Sequence, residues 1–286
     1  GNKLKNHLKP GLYVTATPIG NLSDITDRAR QVLESVDYVA CEDTRVTGKL
    51  MHAMGIKNTL MAFHDHNEDK QRPYILGLLK EGAKIALVSD AGTPLISDPG
   101  YKLVEEARDM NLTVVPIPGA SALTSALSVA GLPTDRFMFM GFPPSKSSAR
   151  QQWFADVVNL KSTLVYYEST RRLPESLKDA AASLGNRPAA VCRELTKSYE
   201  EVIKNNLFNL VEHYTQSGAP KGECVVVVGP PVKVTQSSGE AVIDIDSTLK
   251  LALSHMKVKD AAAFVAEITG QKRTILYARA LEIKEE

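Results

Sequence analysis

The chain lacks both of the glycine-rich motifs that most often mark a nucleotide site. No G-x-G-x-x-G follows the first strand-like segment, and no G-x-x-x-x-G-K-[ST] occurs anywhere in the sequence. These absences argue against a dinucleotide-binding Rossmann domain and against a P-loop enzyme. A nucleotide ligand would have to be held by loops of a different design.

The sequence also has few cysteines, no long apolar run and no excess of charge of one sign. Apolar runs such as Val225–Val228 are far shorter than the roughly 20 residues of a membrane span, and Asn2–His7 has no signal-peptide core. Cys41, Cys192 and Cys224 show neither CxxC nor zinc-type spacing, so buried reduced thiols are expected. With a formal net charge of +1, we expect a cytoplasmic protein without a membrane segment or a metal site, and any basic surface to be local.

The pattern of apolar residues predicts two successive α/β domains. From residue 11 to 133, short apolar runs alternate with segments of helical period, which is typical of a mostly parallel sheet covered by helices. The strand-like runs there are 12–16, 36–41, 84–88 and 113–117, and helices are expected at 26–35, 44–54, 101–110 and from about 120. A second set occupies 134–232, with strands at 137–142, 162–167, 189–192 and 223–228 and helices near 173–184 and 207–216.

The remaining sequence predicts a small helical appendage. Residues 233–242 are polar and suit an exposed linker. Residues 243–286 then contain an alanine-rich helix from Val258, a turn glycine at Gly270 and a second helix over Thr274–Leu281, which favours a helix-turn-helix.

Three strand exits in the first domain have an unusual composition. The runs 17–22, 89–94 and 116–121 each combine glycine with proline at the end of a strand. Glycine lets a ligand approach the backbone closely, proline fixes the path of the loop, and Asp90 offers a carboxylate to an amine or hydroxyl. Because ligands of α/β sheets bind at the carboxyl ends of strands, we interpret the three loops as a nucleoside site. The alternative is that they are tight turns whose polar residues cap the next helix.

Several long motifs, in order, are similar to those of the ribosomal RNA small-subunit methyltransferase I family, within the tetrapyrrole-methylase-like superfamily. They read TPIGNLSDITDRA (17–29), EDTR (42–45), VSDAGTPLISDPG (88–100), PGASAL (118–123), RELTK (193–197) and KGE (221–223). The resemblance covers roughly Gly11–Pro231, and the tail resembles the helix-turn-helix extension of that family. It implies a two-domain α/β fold with S-adenosylmethionine in the interdomain cleft, a homodimer, and 2′-O-methylation of a cytidine in the decoding region of 16S rRNA in the 30S subunit.

Carried over by motif, the resemblance also implies a set of cofactor-binding residues: Pro18, Asp90, Ala91, Gly92, Thr93, Ile96, Ser121, Ala122 and Tyr167. The sequence departs from the family pattern in two places. Phe142-Pro143-Pro144 stands where F-L-P is expected, and 167–172 reads YESTRR where Y-E-S-P-H-R is expected. The second departure removes a histidine, so no essential role is assigned to that position.

Methyl transfer to a ribose hydroxyl needs a positioned nucleophile and is helped by a nearby base. The candidates are Glu42, Asp43, His64 and His66, with Arg45 as a residue that holds a phosphate or ribose in line. For 42–45 the alternative is a helix start with acidic residues in its first turn. The segment 64–67 could be read as a metal pair if it lay on a strand, but no third ligand stands nearby, and a polar loop closing over the cleft is favoured.

Basic residues in or beside strand-exit loops are candidates for contact with RNA phosphates. Those we select are Lys146, Arg171, Arg193, Lys221, Lys272 and Arg273; Arg45, Arg150, Arg172 and Lys197 share such positions. Taken singly, each is compatible with a solvated surface charge. Two other functions remain open: a methylase of a tetrapyrrole or another small molecule, and an RNA-binding assembly factor without catalysis.

Overall fold

The computed structural model describes residues 7–232 and 243–286, so that the N-terminal segment 1–6 and the expected linker 233–242 lie outside the described residues. The chain divides into two compact units, Gly1–Val232 and Lys233–Glu286. In the described parts of the chain, no helix is long and apolar enough to cross a membrane.

The first sheet is parallel throughout, as the alternating pattern predicts. Its strands are Gly11–Thr15 (β1), Tyr38–Cys41 (β2), Leu60–Ala62 (β3), Lys84–Leu87 (β4) and Val114–Ile117 (β5), in the order β3-β2-β4-β1-β5. Strands β4, β1 and β5 are therefore direct neighbours. The three loops that combine glycine with proline leave the same edge of the sheet side by side.

Helices Asp27–Ser35 (α1) and Thr44–Ala53 (α2) pack on one face of this sheet, and Glu68–Lys80 (α3) and Tyr101–Asp109 (α4) pack on the other. A fifth helix, Ala122–Val129 (α5), follows β5. Successive side chains of β4 point to opposite faces, so Ile85 and Leu87 pack in one apolar cluster and Ala86 in the other. Helix α1 is capped by the Thr26 hydroxyl, which accepts the N–H of Ala29. The sheet is thus buried on both sides.

The second sheet is mixed. Its strands are Phe137–Phe139 (β6), Thr163–Ser169 (β7), Pro188–Arg193 (β8), Glu201–Asn206 (β9) and Glu223–Val228 (β10), in the order β6-β7-β10-β8-β9. Strand β10 runs antiparallel to both β7 and β8. Val226 and Val228 pack with the helices Ser147–Ala155 (α6), Leu173–Leu184 (α7) and Leu207–Ser217 (α8). Val225 and Val227 pack on the opposite face, in a cluster that includes Leu123 and Leu127 of α5. This shared cluster joins the two halves.

The C-terminal unit has three helices, Ile245–Leu253 (α9), Val258–Thr269 (α10) and Arg273–Glu285 (α11). Leu249, Val265 and Leu276, one from each helix, form its buried core with small alanines between them. Gly270 ends α10 in the left-handed conformation (φ 71°), which a side chain would disfavour, and the chain turns directly into α11. The arrangement is the helix-turn-helix expected from the sequence.

Candidate functional site

A cavity of about 430 Å³ lies in the first unit, between the loops that follow β4 and β5 and one face of the second sheet. Its volume is within the range of small-molecule sites. Eight of the nine residues expected to bind the cofactor line it: Asp90, Ala91, Gly92, Thr93, Ile96, Ser121, Ala122 and Tyr167. The sequence motifs therefore converge on one place in the fold.

The loop after β4 forms one wall of the cavity and is held by backbone pairing. The N–H of Gly92 donates to the carbonyl of Thr17, and the N–H of Thr17 donates to the carbonyl of Gly92, both at 3.0 Å. Gly92 has φ 81°, and a Cβ there would lie 3.1 Å from Ile19 Cγ2. Both this conformation and the close approach of the neighbouring loop favour glycine at this position.

Hydroxyl groups fix the neighbouring loops. The Thr93 hydroxyl donates to the Ala120 carbonyl at 2.9 Å, which joins the loops after β4 and β5. The backbone N–H of Leu123 donates to the Tyr167 hydroxyl at 3.1 Å, which joins helix α5 to β7 of the second sheet. Burial raises the pKa of Tyr167 to about 12, so its hydroxyl stays protonated. These hydrogen bonds connect the walls of the cavity, which come from both sheets.

Carboxyl groups gather at one end of the cavity. Glu42 follows β2, while Asp90 and Asp98 flank the loop after β4, and all three line the cavity. Burial, and then the nearby charges of Asp98 and Asp90, raise the pKa of Glu42 to about 7. Burial and the charge of Asp90 raise the pKa of Asp98 to about 6. The sequence analysis did not select Asp98, although it lies within the quoted run 88–100.

A second set of polar residues lies where β8 ends. Glu194 and Lys197 line the cavity, and Lys197 Nζ is 2.9 Å from a carboxylate oxygen of Glu194. Glu194 (φ 51°) and Thr196 (φ 73°) are both in the left-handed region, as are Leu95 and Ser97 on the loop across the cavity. Non-glycine residues in this conformation concentrate at functional sites. The sequence analysis did not select Glu194, although it lies within the quoted motif RELTK (193–197).

Of the residues selected for catalysis or cofactor binding, four lie outside the lining of the cavity. Pro18 stands between Thr17 and Ile19 of the adjoining loop. Asp43 caps α2, and its N–H donates to Asp90 Oδ1 at 3.1 Å. Arg45 pairs with the Asp43 carboxylate. His64 lies in the turn before α3, where its Nδ1 accepts the N–H of His66.

That turn bears on the two interpretations of the segment 64–67. It lies outside β3 rather than on a strand, and Asp65 within it helps to raise the pKa of both Glu42 and Asp98. In the part of the chain that the structure describes, no group of three or more His, Cys, Asp or Glu residues is arranged to hold a metal ion. The segment forms a polar turn, and Asp65 within it lies near the carboxyl groups of Glu42 and Asp98.

The basic residues selected for RNA contact are dispersed over the surface. Lys146, Arg171, Lys221, Lys272 and Arg273 are exposed, and none of these described residues lines the cavity. Arg193 is partly buried, and its guanidinium donates to the Lys221 carbonyl at 2.9 Å. Arg150, also considered from the sequence, is buried against Asp179 at 2.7 Å, so its charge is used within the fold.

The cysteines are free and buried, in agreement with the sequence analysis. Cys192 and Cys224 line the cavity, and burial raises the pKa values of their thiols to about 11 and about 12. They are therefore protonated near neutral pH and act as small apolar side chains.

Comparison with known proteins agrees with this geometry. Residues 11–211 match the model of the Tetrapyrrole (Corrin/Porphyrin) Methylases, and residues 240–284 match that of the RsmI C-terminal HTH domain. Two solved structures share the fold at low identity. Diphthine synthase has a TM-score of 0.59 at 14% identity, over 76% of this chain and 89% of its own. Uroporphyrin-III-C-methyltransferase from Thermus thermophilus has a TM-score of 0.55 at 20% identity, over 77% and 94%.

Curated proteins named "Ribosomal RNA small subunit methyltransferase I" are similar over almost the whole chain. The one from Mesorhizobium japonicum is 46% identical over 279 residues, which are 97% of this chain and 94% of that protein. The one from Escherichia coli O157:H7 is 46% identical over 274 residues, which are 95% of this chain and 94% of that protein. The chain therefore belongs to the tetrapyrrole methylases and, among them, to the family of ribosomal RNA small subunit methyltransferase I.

Proposed function

We propose that this protein transfers the methyl group of S-adenosylmethionine to a ribose 2′-hydroxyl of 16S rRNA, at a cytidine in the decoding region of the small ribosomal subunit. The observation that carries the proposal is the carboxyl group of Glu42, with a pKa of about 7, at one end of a cavity built from the predicted cofactor loops. Family membership supports the substrate class. Such a substrate would place the enzyme in the cytoplasm.

The cavity fits S-adenosylmethionine in volume and in chemistry. Gly92 has no side chain to occupy the space beside its backbone, and Ile19, Ile96 and Ala122 supply apolar surface for an adenosyl or methionyl group. The Thr17 hydroxyl is buried and has no partner among the described residues, which leaves a polar atom beside this loop for a ligand or water. The carboxyl groups of Asp90 and Asp98 suit a molecule that carries positive charge.

When bound, the cofactor supplies a methyl group that is already activated on a sulfonium. The protein must then place the ribose oxygen in line and accept its proton. Glu42 is suited to accept the proton, because a base whose pKa lies near the working pH is available in its deprotonated form and yet basic enough to be useful. Asp98 and Asp90 raise the basicity of Glu42 by placing negative charge beside it.

Two further features support binding of RNA. The exposed residues Lys146, Arg171, Lys221, Lys272 and Arg273, with the partly exposed Arg193, provide positive charge for phosphates. We assign Lys272 and Arg273 particular weight because they lie at the start of α11, the second helix of the turn motif.

We also propose the domain limits 11–133, 134–232 and 243–286, with 233–242 as the linker.

We also propose a homodimer. Phe137 and Met138 are large and exposed on β6, an edge strand of the second sheet, and Val129 is exposed at the end of α5. Exposed apolar residues on an edge strand favour pairing with another surface. Sedimentation equilibrium measures this directly, and a monomer at micromolar concentration would contradict it.

The function is tested by incubating the protein with methyl-labelled S-adenosylmethionine and 30S subunits that lack the modification. Nuclease digestion then locates the label. Label on the 2′-oxygen of one decoding-region cytidine is the expected result, and label on a base or at another nucleotide would contradict the finer assignment.

The fold neighbours named for tetrapyrrole substrates make a small-molecule methylase the second candidate. Calorimetry distinguishes it from a non-catalytic assembly factor. A small-molecule methylase binds the cofactor but leaves 30S subunits unlabelled, whereas an assembly factor that has lost catalysis binds 30S subunits without binding the cofactor.

A further inference from the structure

Lys197 is the one basic side chain among the cavity-lining residues of the described chain. Its Nζ lies 2.9 Å from the Glu194 carboxylate and 4.0 Å from that of Glu223. An ammonium group has three N–H donors. Glu194 accepts one of them, and among the described residues no other acceptor lies within hydrogen-bond distance. Lys197 therefore has donors available toward a ligand.

Loops from both halves of the first unit hold this side chain in place. A Cβ on Gly20, in the loop after β1, would lie 2.6 Å from Lys197 Cε, so the lysine side chain passes close over the Gly20 backbone. A Cβ on Gly222, before β10, would overlap the Glu194 carboxyl group. Asn21 Nδ2 donates to the Thr196 carbonyl at 3.3 Å and ties the same two loops together.

Two non-glycine residues of this loop adopt a backbone conformation that costs free energy. Glu194 (φ 51°) and Thr196 (φ 73°) are both left-handed, and the hydroxyl oxygen of Thr196 is buried without a partner among the described residues. Strain of this kind persists where the surroundings fix it, and it recurs at ligand clamps. The hydrogen bond between Lys197 and Glu194 raises the pKa of the lysine and lowers the pKa of the glutamate. Both side chains therefore stay ionised.

We propose that Lys197, positioned by Glu194, is the oxyanion-binding residue of the cavity. The carboxyl groups of Glu42, Asp90 and Asp98 also line the cavity and repel an anion, so Lys197 is the lining residue that attracts an oxyanion. The proposed reaction brings two oxyanions to this place: a phosphodiester oxygen beside the target ribose, and the carboxylate of the methionyl group. The phosphodiester source rests on the proposed function, whereas the carboxylate source requires only cofactor binding.

The test uses the full-length protein with Lys197→Met, Lys197→Arg and Glu194→Gln. Lys178→Met is the matched control, because Lys178 also pairs with a glutamate three residues away, Glu175 at 3.5 Å, but lies on α7 outside the cavity. Calorimetry measures S-adenosylmethionine affinity. Filter binding measures affinity for 30S subunits that lack the modification, at several salt concentrations.

We expect Lys197→Met to weaken one of the two affinities by about tenfold or more, as loss of a charge-assisted hydrogen bond would. A phosphodiester contact also reduces the slope of log K against log salt by about 0.7 to 0.9, whereas a carboxylate contact leaves that slope unchanged. Lys197→Arg should restore most of the affinity. Glu194→Gln should weaken the same affinity less than Lys197→Met does, with an unchanged melting temperature.

Three results would overturn the proposal: both affinities of Lys197→Met equal to those of the wild type, an equal loss in Lys178→Met, or a fall in melting temperature without a change in affinity. Failure of the proposed function can be distinguished from failure of the Lys197 proposal. If the proposed function is wrong, the wild-type protein does not methylate 30S subunits, but calorimetry with S-adenosylmethionine still tests the role of Lys197.

Discussion

The guanidinium of Arg45 contacts the carboxylate of Asp43 at two points, with Nε 3.1 Å from Oδ1 and Nη2 3.0 Å from Oδ2. Asp43 Oδ1 also accepts the backbone N–H of Arg45 at the start of α2, and the N–H of Asp43 donates to Asp90. The Arg45 side chain is 85% exposed. The pair therefore connects the helix start to the cavity wall and leaves the guanidinium accessible to an incoming phosphate.

If the Arg45 guanidinium holds the RNA in line with the methyl group, Arg45→Ala should lower turnover on 30S subunits by about tenfold or more. Cofactor affinity and melting temperature should barely change, since an exposed ion pair adds little stability. Arg45→Lys, which keeps the charge but loses the two-point geometry, should be intermediate. Near-normal turnover with a lower melting temperature would instead make Arg45 a helix-start residue and remove it from the site.

Activity should depend on the protonation of Glu42. A carboxyl group with a pKa of about 7 is mostly protonated at pH 6 and mostly ionised at pH 8, and only the ionised form accepts a proton. We expect kcat/KM on 30S subunits to rise with pH through about 7 and to level off above about pH 8. Glu42→Gln should lower kcat/KM by about 100-fold or more and abolish this rise. A Gln variant that keeps the wild-type profile would exclude Glu42 as the base.

The same carboxyl groups predict how stability depends on pH. The pKa of Glu42 is raised from 4.5 to about 7 and that of Asp98 from 3.8 to about 6, so the folded state holds protons that the unfolded state releases. Their contribution is fully present below about pH 4 and is lost as pH rises to about 7. Melting temperatures measured from pH 4 to 8 should show a shallower decline in Glu42→Gln and Asp98→Asn than in the wild type. A parallel decline in all three proteins would contradict this account.

Much of the fold could be predicted from the sequence because most strands are apolar and most helices are amphipathic. Five strands and helices were not predicted, namely β3, β9, α3, α6 and α9, and for the first three the physical reason is clear. Strand β3 has only three residues, all partly buried, so it shows no alternation. Strand β9 is mostly exposed and polar, as an edge strand can be. Helix α3 contains Pro73 within its span, which usually ends a helix.

The candidate site was predicted where single loops carry the chemistry and missed where two halves of the unit meet. Asp90 and Gly92 lie in one glycine-containing strand exit, and that composition is visible in the sequence. Glu194 lies beyond β8, and it reaches the cavity only because β8 pairs with β10 in a mixed sheet. Local periodicity does not specify that pairing, so the approach of Lys197 to Gly20 and of Glu194 to Gly222 could not be predicted.

Gly92→Val should abolish S-adenosylmethionine binding while the fold persists. The added side chain strains a residue with φ 81° and places a Cβ 3.1 Å from Ile19 Cγ2, at the cavity wall. Gly55→Val is the matched control, since Gly55 has φ 68° but no heavy atom within 4 Å of its Cβ position and lies outside the cavity. Calorimetry should show binding by the control alone. Unchanged affinity in a folded Gly92→Val protein would show that this loop does not bind the cofactor.

Deletion of the chain after Pro231 should separate cofactor binding from recognition of the ribosomal subunit. The C-terminal unit has its own core around Leu249, Val265 and Leu276, and the cavity is lined by residues of the first unit alone. Cofactor affinity should therefore stay within about twofold, while affinity for 30S subunits falls by about tenfold or more because phosphate contacts are lost.

The charges at the start of α11 allow a sharper version of that experiment within the full chain. Lys272→Ala with Arg273→Ala removes two exposed cations from the first turn of the helix, whereas Lys250→Ala with Lys284→Ala removes the same charge from α9 and the last turn of α11. If α11 enters a groove of the RNA by its first turn, only the first pair weakens binding, and the slope of log K against log salt decreases by about 1.4 to 1.8. Equal losses in the two double variants would indicate nonspecific attraction to a positive surface. Unchanged affinity in the deletion and in both double variants would show that the C-terminal unit is not an RNA-binding element.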